Sequence, residues 1–317
     1  MKMATKSAIT TQRSLSLDLL AMLILPVVSS WYFYGVGALK LIFISVIVCV
    51  LCELLGRKIL KQPATITDLS AVTTGIILAL MLPANAPLWV PFIGSIFAIA
   101  AAKLPFGSVE KLPFSPAAAS LAFLTICFPD IIFNYPKISA FSAALSSTSS
   151  SSLASLLARN ASISLSSVKA IDIIIGNFPG PMGAGCIMIL AGSAIYMLIR
   201  RTKLFITTAG FIAGAAVIAI CLPRTGNILT SLVLELCAGY MIFAAIFLIT
   251  EAGTLPEKNL SRLLYGFTAG LACMLMRRFG AFEECACFAI LIVNAAWPVA
   301  DKAINKLHTK KGVKKVK

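Results

Sequence analysis

The sequence predicts an all-α integral membrane protein with about ten transmembrane helices in two inverted five-helix repeats. Three observations predict it. Apolar residues make up 59% of the 317 and charged residues 12%, with a mean hydropathy of +0.95. The apolar residues gather in runs of about 18 to 22, the length a helix needs to cross the hydrocarbon core. These runs do not alternate with period two, which excludes a closed barrel, the other structure that satisfies its backbone in lipid. The basic residues fall on alternate connections between the runs. Finally, two distant stretches share one skeleton. One reads Leu82-Pro83, then IGSIFAIAAAKLPFG up to Gly107, then an apolar run ending Phe128-Pro129-Asp130. The other reads Leu255-Pro256, then YGFTAGLACMLMRRFG up to Gly280, then an apolar run ending Trp297-Pro298-Val299-Ala300-Asp301.

The first span is placed at 15–34. Asp18 interrupts the start of its run and no small-residue cleavage site follows, so it reads as a retained helix and not a removed signal. Spans follow at 38–55, 68–83, 88–104 and 114–129, the third and fourth being short and joined by the Pro83–Pro87 turn. Residues 1–130 thus form an N-terminal membrane half, and 131–179 an external Ser-rich linker. The second half, 180–301, holds spans at 180–199, 203–222, 229–249, 261–277 and 281–300, and 302–317 is a basic tail. Five spans on each side of the linker mean that the second half enters the membrane from the opposite face. Inverted repeats of this kind place substrate or cofactor near their interface.

With the N-terminus in the cytoplasm, Lys2, Lys6, Arg13, Arg57, Lys58, Lys61, Lys103, Lys111, Arg200, Arg201, Lys203, Lys258, Arg262 and the tail lysines all face inward. That is the positive-inside pattern of a multi-pass protein of a bacterial or archaeal plasma (inner) membrane with both termini cytoplasmic. The net charge of +15 is accounted for by this orientation and by anionic lipid headgroups. No aromatic or motif pattern supports nucleic-acid binding. Nine cysteines include a CxxC at Cys49 and Cys52 and a CxC at Cys285 and Cys287. Both lie in or at apolar helices, where cysteine behaves as a small hydrophobe; the other reading is an intramembrane iron–sulfur cluster shared with another subunit, since thiolates are the usual cluster ligands. His308 is the one histidine, too few for a zinc site of the usual ligand set.

Two segments and a few charges carry candidate chemistry. Phe141 to Ser167 is a serine-rich tract with the composition of a flexible linker, but Leu145, Leu153, Leu156 and Leu157 also suit a short helix lying on the membrane domain. Gly176-Asn177-Phe178-Pro179-Gly180-Pro181-Met182-Gly183 is either a plain turn or a place where backbone amides approach a phosphate at a helix start. Acidic residues at membrane depth are costly and point to function. Glu235 is the deepest of them, with Glu53, Asp68 and Glu251 near cytoplasmic ends; Asp68, Glu235 and Glu251 are the ion-pathway candidates, since carboxylate oxygens suit hard cations. Pairing with nearby Arg57, Lys58 or Arg262 is the other reading. Arg277 and Arg278 either hold a phosphate, such as a lipid's, or anchor the helix by snorkelling.

In its motifs the chain resembles the RnfD/NqrB membrane subunits of Rnf and Na⁺-pumping quinone reductase complexes, closest to RnfD. The resemblance is carried in order by Asp68-Leu69-Ser70-Ala71-Val72-Thr73-Thr74-Gly75, Leu82-Pro83 with Ala86-Pro87 and Trp89, Phe106-Gly107 with Phe114-Ser115-Pro116-Ala117, and Gly176-Asn177-Phe178-Pro179-Gly180. It ends with Arg278-Phe279-Gly280, Phe288-Ala289-Ile290-Leu291, Asn294, Pro298 and Asp301. It implies a non-autonomous subunit of a redox-driven Na⁺ or H⁺ pump, with electrons passing by flavin between ferredoxin and NAD partner subunits. It also implies FMN esterified to a Thr or Ser in an Asp-x-x-Ser-Gly-Ala-Thr motif on the outer side. Aligned on Leu153, the acceptor falls on Ser151, with Thr148 second, and Gly176, Asn177 and Gly180 would help bind the flavin. The motif's Asp is replaced by Leu145, and its Gly is absent. Leu112 and Ser115 stand where many relatives have Asn, which bears on a second flavin, and Glu251 stands where they have Asp. These departures suit an alternative, a flavin-free paralogue serving as scaffold or solute transporter on the same fold.

Overall fold

The computed structural model describes residues 2–61, 69–106, 112–136, 175, 176, 179–224, 228–251, 255, 256, 258–280, 282 and 284–314, with side chains between 13 and 302. All regular structure among them is helical. Helix α1 (Lys2–Tyr34) contains Pro26, which has no N–H to donate to the carbonyl of Met22 one turn back. The Ser193 hydroxyl lies 3.3 Å from the Met22 oxygen and 3.2 Å from the Ile189 carbonyl of its own helix, so its one proton is shared between the two. A membrane helix tolerates an internal proline when a neighbouring side chain satisfies the freed carbonyl in this way.

Gly35, at φ +66°, turns the chain into α2 (Val36–Ile59). Helix α3 (Ser70–Leu80) follows, then α4 (Trp89–Ala100), continued by a 3₁₀ turn at Leu104–Phe106, and α5 (Pro116–Cys127). Phe128 stops α5 because the residue before a proline is pushed out of the helical region, and Pro129–Ile132 forms the short α6. Helix α2 packs on both α3 and α4, and Gly75 lets α3 approach the α2 backbone, where Ser45 donates to the Gly75 carbonyl at 2.8 Å. The second half begins with α7 (Ile187–Arg200) and α8 (Thr202–Cys221). Next come α9 (Ile228–Cys237), α10 (Met241–Glu251), α11 (Asn259–Phe279) and α12 (Ala286–Lys314).

Several expected spans differ from the observed helices. The span at 68–83 is an α3 of 11 residues, about 16 Å long at 1.5 Å per residue and half of a hydrocarbon core. Its C-terminal carbonyls meet a buried irregular segment instead of lipid: Gly183 N–H donates to Leu80 O at 2.7 Å and Met182 N–H to Leu82 O at 3.2 Å. That segment, Pro179 to Gly185, occupies the start of the span expected at 180–199, so α7 begins only at Ile187; two prolines and three glycines disfavour helix there. The span at 229–249 is broken. Helices α9 and α10 meet at 65°, and α10 contains a π-helical stretch over Ala244–Leu248. Gly239 at the break has φ +65°, and a Cβ there would overlap the Glu284 carboxylate. The last span continues as helix into the basic tail, to Lys314. Among the described residues four helices are long and apolar enough to cross a membrane, five if α9 and α10 count as one bent crossing.

Helices α8 and α11 form the closest pair. Gly210-Phe-Ile-Ala-Gly214 on α8 faces Gly266-Phe-Thr-Ala-Gly270 on α11. A Cβ on Gly210 or Gly214 would overlap the Leu263 or Phe267 carbonyl, and one on Gly266 or Gly270 the Thr207 or Phe211 carbonyl. Contacts advance in the same direction along both helices, so the pair is parallel, as expected for two crossings separated by one return through α9 and α10. Small residues four apart let membrane helices meet backbone to backbone, where dispersion and not hydrophobicity holds them.

Candidate functional site

Glu251 ends the broken span, half-buried, and its carboxylate reaches across to the first half of the chain. Thr74 of α3 donates to Oε1 at 2.5 Å; Ser115 donates to Oε2 at 2.6 Å, and the Ala117 N–H to Oε2 at 3.2 Å. Ser115 is the N-cap of α5, with Pro116 at the first helical position, and its oxygen also accepts from Ala118 N–H at 3.2 Å. The carboxylate therefore sits where the first-turn amides of α5 lack helical partners and the helix dipole is positive. One carboxylate and two hydroxyls from three helices make an all-oxygen set. Either hydroxyl can rotate to present a lone pair to a hard cation, and the carboxylate can take a proton. A π-helical stretch one turn before such a group is a frequent mark of a functional site.

A second polar group joins α2, α3 and α4. Glu53 pairs with Arg57 one turn on at 2.5 Å and with Lys103 Nζ at 2.7 Å, and Lys103 also donates to Ser70 Oγ at 2.6 Å. Glu53, Arg57 and Lys103 are each under a tenth exposed. This arrangement assigns Glu53 to ion pairing. Glu53→Gln would leave Lys103 and Arg57 buried beside a neutral amide, and is expected to lower stability by about 3–5 kcal/mol, the usual result of breaking a buried pair. Detergent-dependent thermal unfolding of the purified protein measures it, and Lys103→Met, which leaves the Glu53–Arg57 pair intact, is expected to cost less.

The third group holds the break between α9 and α10. Glu235 Oε1 lies 3.1 Å from Arg224 Nε and Oε2 lies 3.8 Å from Arg277 Nη1, while Arg277 Nη2 lies 3.4 Å from Glu284. Arg277 also donates to the carbonyls of Glu235 at 2.8 Å and Ala238 at 3.0 Å. These carbonyls belong to the end of α9, where the negative end of the helix dipole favours a cation. Arg277 is 4% exposed, so it is neither a snorkelling anchor nor placed for a surface phosphate. Glu235, the deepest of the acidic candidates, is likewise occupied by ion pairing with Arg224 and Arg277.

Of the other expected site residues, Ser151, Thr148, Asn177 and Asp68 lie outside the described residues. Gly176, at φ +89°, is pressed against the Gly185 carbonyl, and the buried Gly180 carbonyl accepts from the Tyr34 hydroxyl at 3.4 Å. The described part of this segment is a packed turn and not an open phosphate cradle. Thr74, Lys103, Arg224 and Glu284 were missed as functional partners by reasoning from the sequence. One signal was available: Lys103 stands three residues, and Arg277 two, before the Phe of a Phe-Gly pair of the shared skeleton, and both prove to be buried cations. Among the described residues no group of three His, Cys, Asp or Glu is placed to hold a metal ion.

Fold and site together define a polytopic α-helical membrane protein with buried charge at its helix ends and breaks and a carboxylate that joins α10 to α3 and α5. The chain belongs to the NQR2, RnfD, RnfE family, whose model matches residues 3–310. It is 27% identical over 271 residues to the D-type subunit of the Na⁺-translocating ferredoxin:NAD⁺ oxidoreductase complex of Acetobacterium woodii, covering 86% of this chain and 82% of that one. It is 28% identical over 275 residues to the D-type subunit of the proton-translocating ferredoxin:NAD⁺ oxidoreductase complex of Clostridium ljungdahlii, covering 85% and 83%. The D-type subunit of the ion-translocating oxidoreductase complex of Escherichia coli is 29% identical over 330 residues, with 92% of each chain covered.

Proposed function

We propose that this chain is the D-type membrane subunit of an Rnf-type complex, and that it moves Na⁺ or H⁺ while partner subunits pass electrons between ferredoxin and NAD. The observation that carries the ion part is Glu251, a membrane-embedded carboxylate received by Thr74, Ser115 and Ala117 at the junction of α3, α5 and α10. In this reading residues 1–130 and 180–301 are inverted halves, the linker lies outside, and both termini are cytoplasmic. Relatives named for Na⁺ and for H⁺ support an ion-translocating assembly without choosing the ion. Affinity purification of this chain from its native membrane is expected to bring with it ferredoxin-driven NAD reduction. Recovery of the chain alone, from cells in which that activity is present, contradicts the proposal.

The flavin part of the proposal rests on the resemblance. It places FMN on Ser151, with Thr148 second, in the segment between the halves. Bound there, FMN would supply one-electron and two-electron redox chemistry that no side chain of this subunit provides. The residues expected at a second flavin fit it poorly, because Leu112 is buried and the Ser115 hydroxyl is engaged by Glu251. The loss of the motif's Asp and Gly favours a second reading, a flavin-free paralogue acting as scaffold or solute transporter. Denaturing gels separate the two. A fluorescent band at this subunit that is lost in Ser151→Ala, or in the double variant with Thr148→Val, supports covalent flavin; a dark band in cells with an active flavin transferase supports the paralogue.

A further inference from the structure

We propose that the starts of α8 and α11 and the middle of α12, from Asn294 to Trp297, enclose a water-binding pocket. Four side-chain atoms there have no hydrogen-bond partner among the described residues: Thr207 Oγ1 on α8, Ser261 Oγ on α11, and Asn294 Nδ2 and Trp297 Nε1 on α12. Their residues are 0%, 1%, 1% and 6% exposed. They share one neighbourhood. The Tyr265 hydroxyl bonds Asn294 Oδ1, the Tyr265 and Trp297 rings lie 5.3 Å apart, and Ser261 stands one turn before Tyr265. The Thr207 carbonyl is pressed against Gly266, the residue after Tyr265. Pro298 adds a fifth group, because it has no N–H for the carbonyl of Asn294 one turn back.

A buried polar atom without a partner costs about 1–3 kcal/mol, and lipid on the outside offers none. Four in one place are not sustained dry. Turning the Asn294 amide over does not help, since one of its two atoms bonds Tyr265 in either orientation and the other is left. The indole N–H only donates, so the occupant must accept a hydrogen bond, which excludes a bare cation. The Asn294 carbonyl only accepts, so the occupant must also donate, which excludes a simple oxyanion. Water does both, and buried water with two to four polar partners is the ordinary solution. Thr208, next to Thr207, donates to the carbonyl of Ala245 in the π-helical stretch at 2.7 Å, so the pocket adjoins the broken span that ends in Glu251. Its use as the aqueous approach for a proton or hydrated cation rests on the ion-translocating reading; the pocket itself does not.

Tryptophan emission tests it. Of the three tryptophans, Trp31 and Trp89 are 54% and 41% exposed on the apolar surface, so Trp31→Phe with Trp89→Phe leaves Trp297 as the sole reporter. A water-filled pocket is expected to give red-shifted emission that gains intensity in D₂O and resists quenching by lipids with brominated acyl chains. A blue emission indifferent to D₂O, or quenching by the brominated chains, overturns the proposal. If the double variant does not assemble, brief X-ray radiolysis of the unaltered protein serves, because bound water oxidises the side chains it touches. After correction for the higher intrinsic reactivity of Tyr and Trp, Tyr265 and Trp297 are then expected to be oxidised several-fold faster than the buried Phe211 and Phe243, and equal or slower oxidation overturns the proposal.

Discussion

Gly270→Leu is expected to abolish accumulation of the folded protein. A Cβ at this position overlaps the Phe211 carbonyl on α8, and the atoms behind that carbonyl are backbone that cannot rotate aside. Overpacking by side chains alone costs about 1–3 kcal/mol. Here the pair must separate along its length, because Gly266, Gly214 and Gly210 make the same contact at successive positions. Losing the pair also loosens α9 and α12, which pack on α8 and α11 respectively. Quantitative immunoblotting of native membranes, with a fluorescence-detected size profile in mild detergent, measures it. The lipid-facing Leu275→Ala on the same helix, 40% exposed, is the matched control and is expected to accumulate normally.

Glu251→Gln is expected to leave the fold and electron flow intact while ion movement falls by about tenfold or more, the factor that about 1.4 kcal/mol supplies. The amide keeps a carbonyl oxygen for Ser115 or the Ala117 N–H, so the capping of α5 is largely retained. It removes the charge that a cation or proton would meet. Glu251→Asp, with one methylene fewer, keeps the charge but withdraws it from Thr74 and Ser115, and is expected to fall between the two. Ser115→Ala tests the support for the site, since it removes both a donor to Glu251 and the N-cap of α5, a loss of about 1 kcal/mol in stability. A purely structural Glu251 would give the reverse pattern, with Gln close to normal in ion movement and Ser115→Ala the more damaging.

Apolar run length and charge placement made the membrane class legible, because both follow from the cost of exposing polar groups to lipid. Helix breaks were less legible. Nothing in the composition of 229–249 distinguishes a straight span from α9 and α10, since the break depends on Gly239 meeting Glu284 near the start of α12 and on Arg277 meeting the end of α9. Helix α3 read as a crossing because its apolar run continues through Leu82, although its carbonyls end on Met182 and Gly183 from the other half. Among the site residues, Glu251 stood out with Asp68 and Glu235 as an ion-pathway candidate, although Glu235 read as the deeper. Its partners did not: Thr74 and Ser115 are ordinary hydroxyls until the fold brings them together. Arg277 showed the opposite failure, because an arginine at a helix end looks like a surface residue unless a second helix ends beside it.

Ion uptake and NAD reduction measured together in proteoliposomes holding the purified complex test the central claim most directly. The unaltered complex should take up Na⁺ or H⁺ in proportion to the NADH formed. The account predicts that the complex with Glu251→Gln forms NADH at a comparable rate while uptake per NADH collapses. Unchanged uptake per NADH in that variant would contradict it and return Glu251 to a structural role at the start of α5.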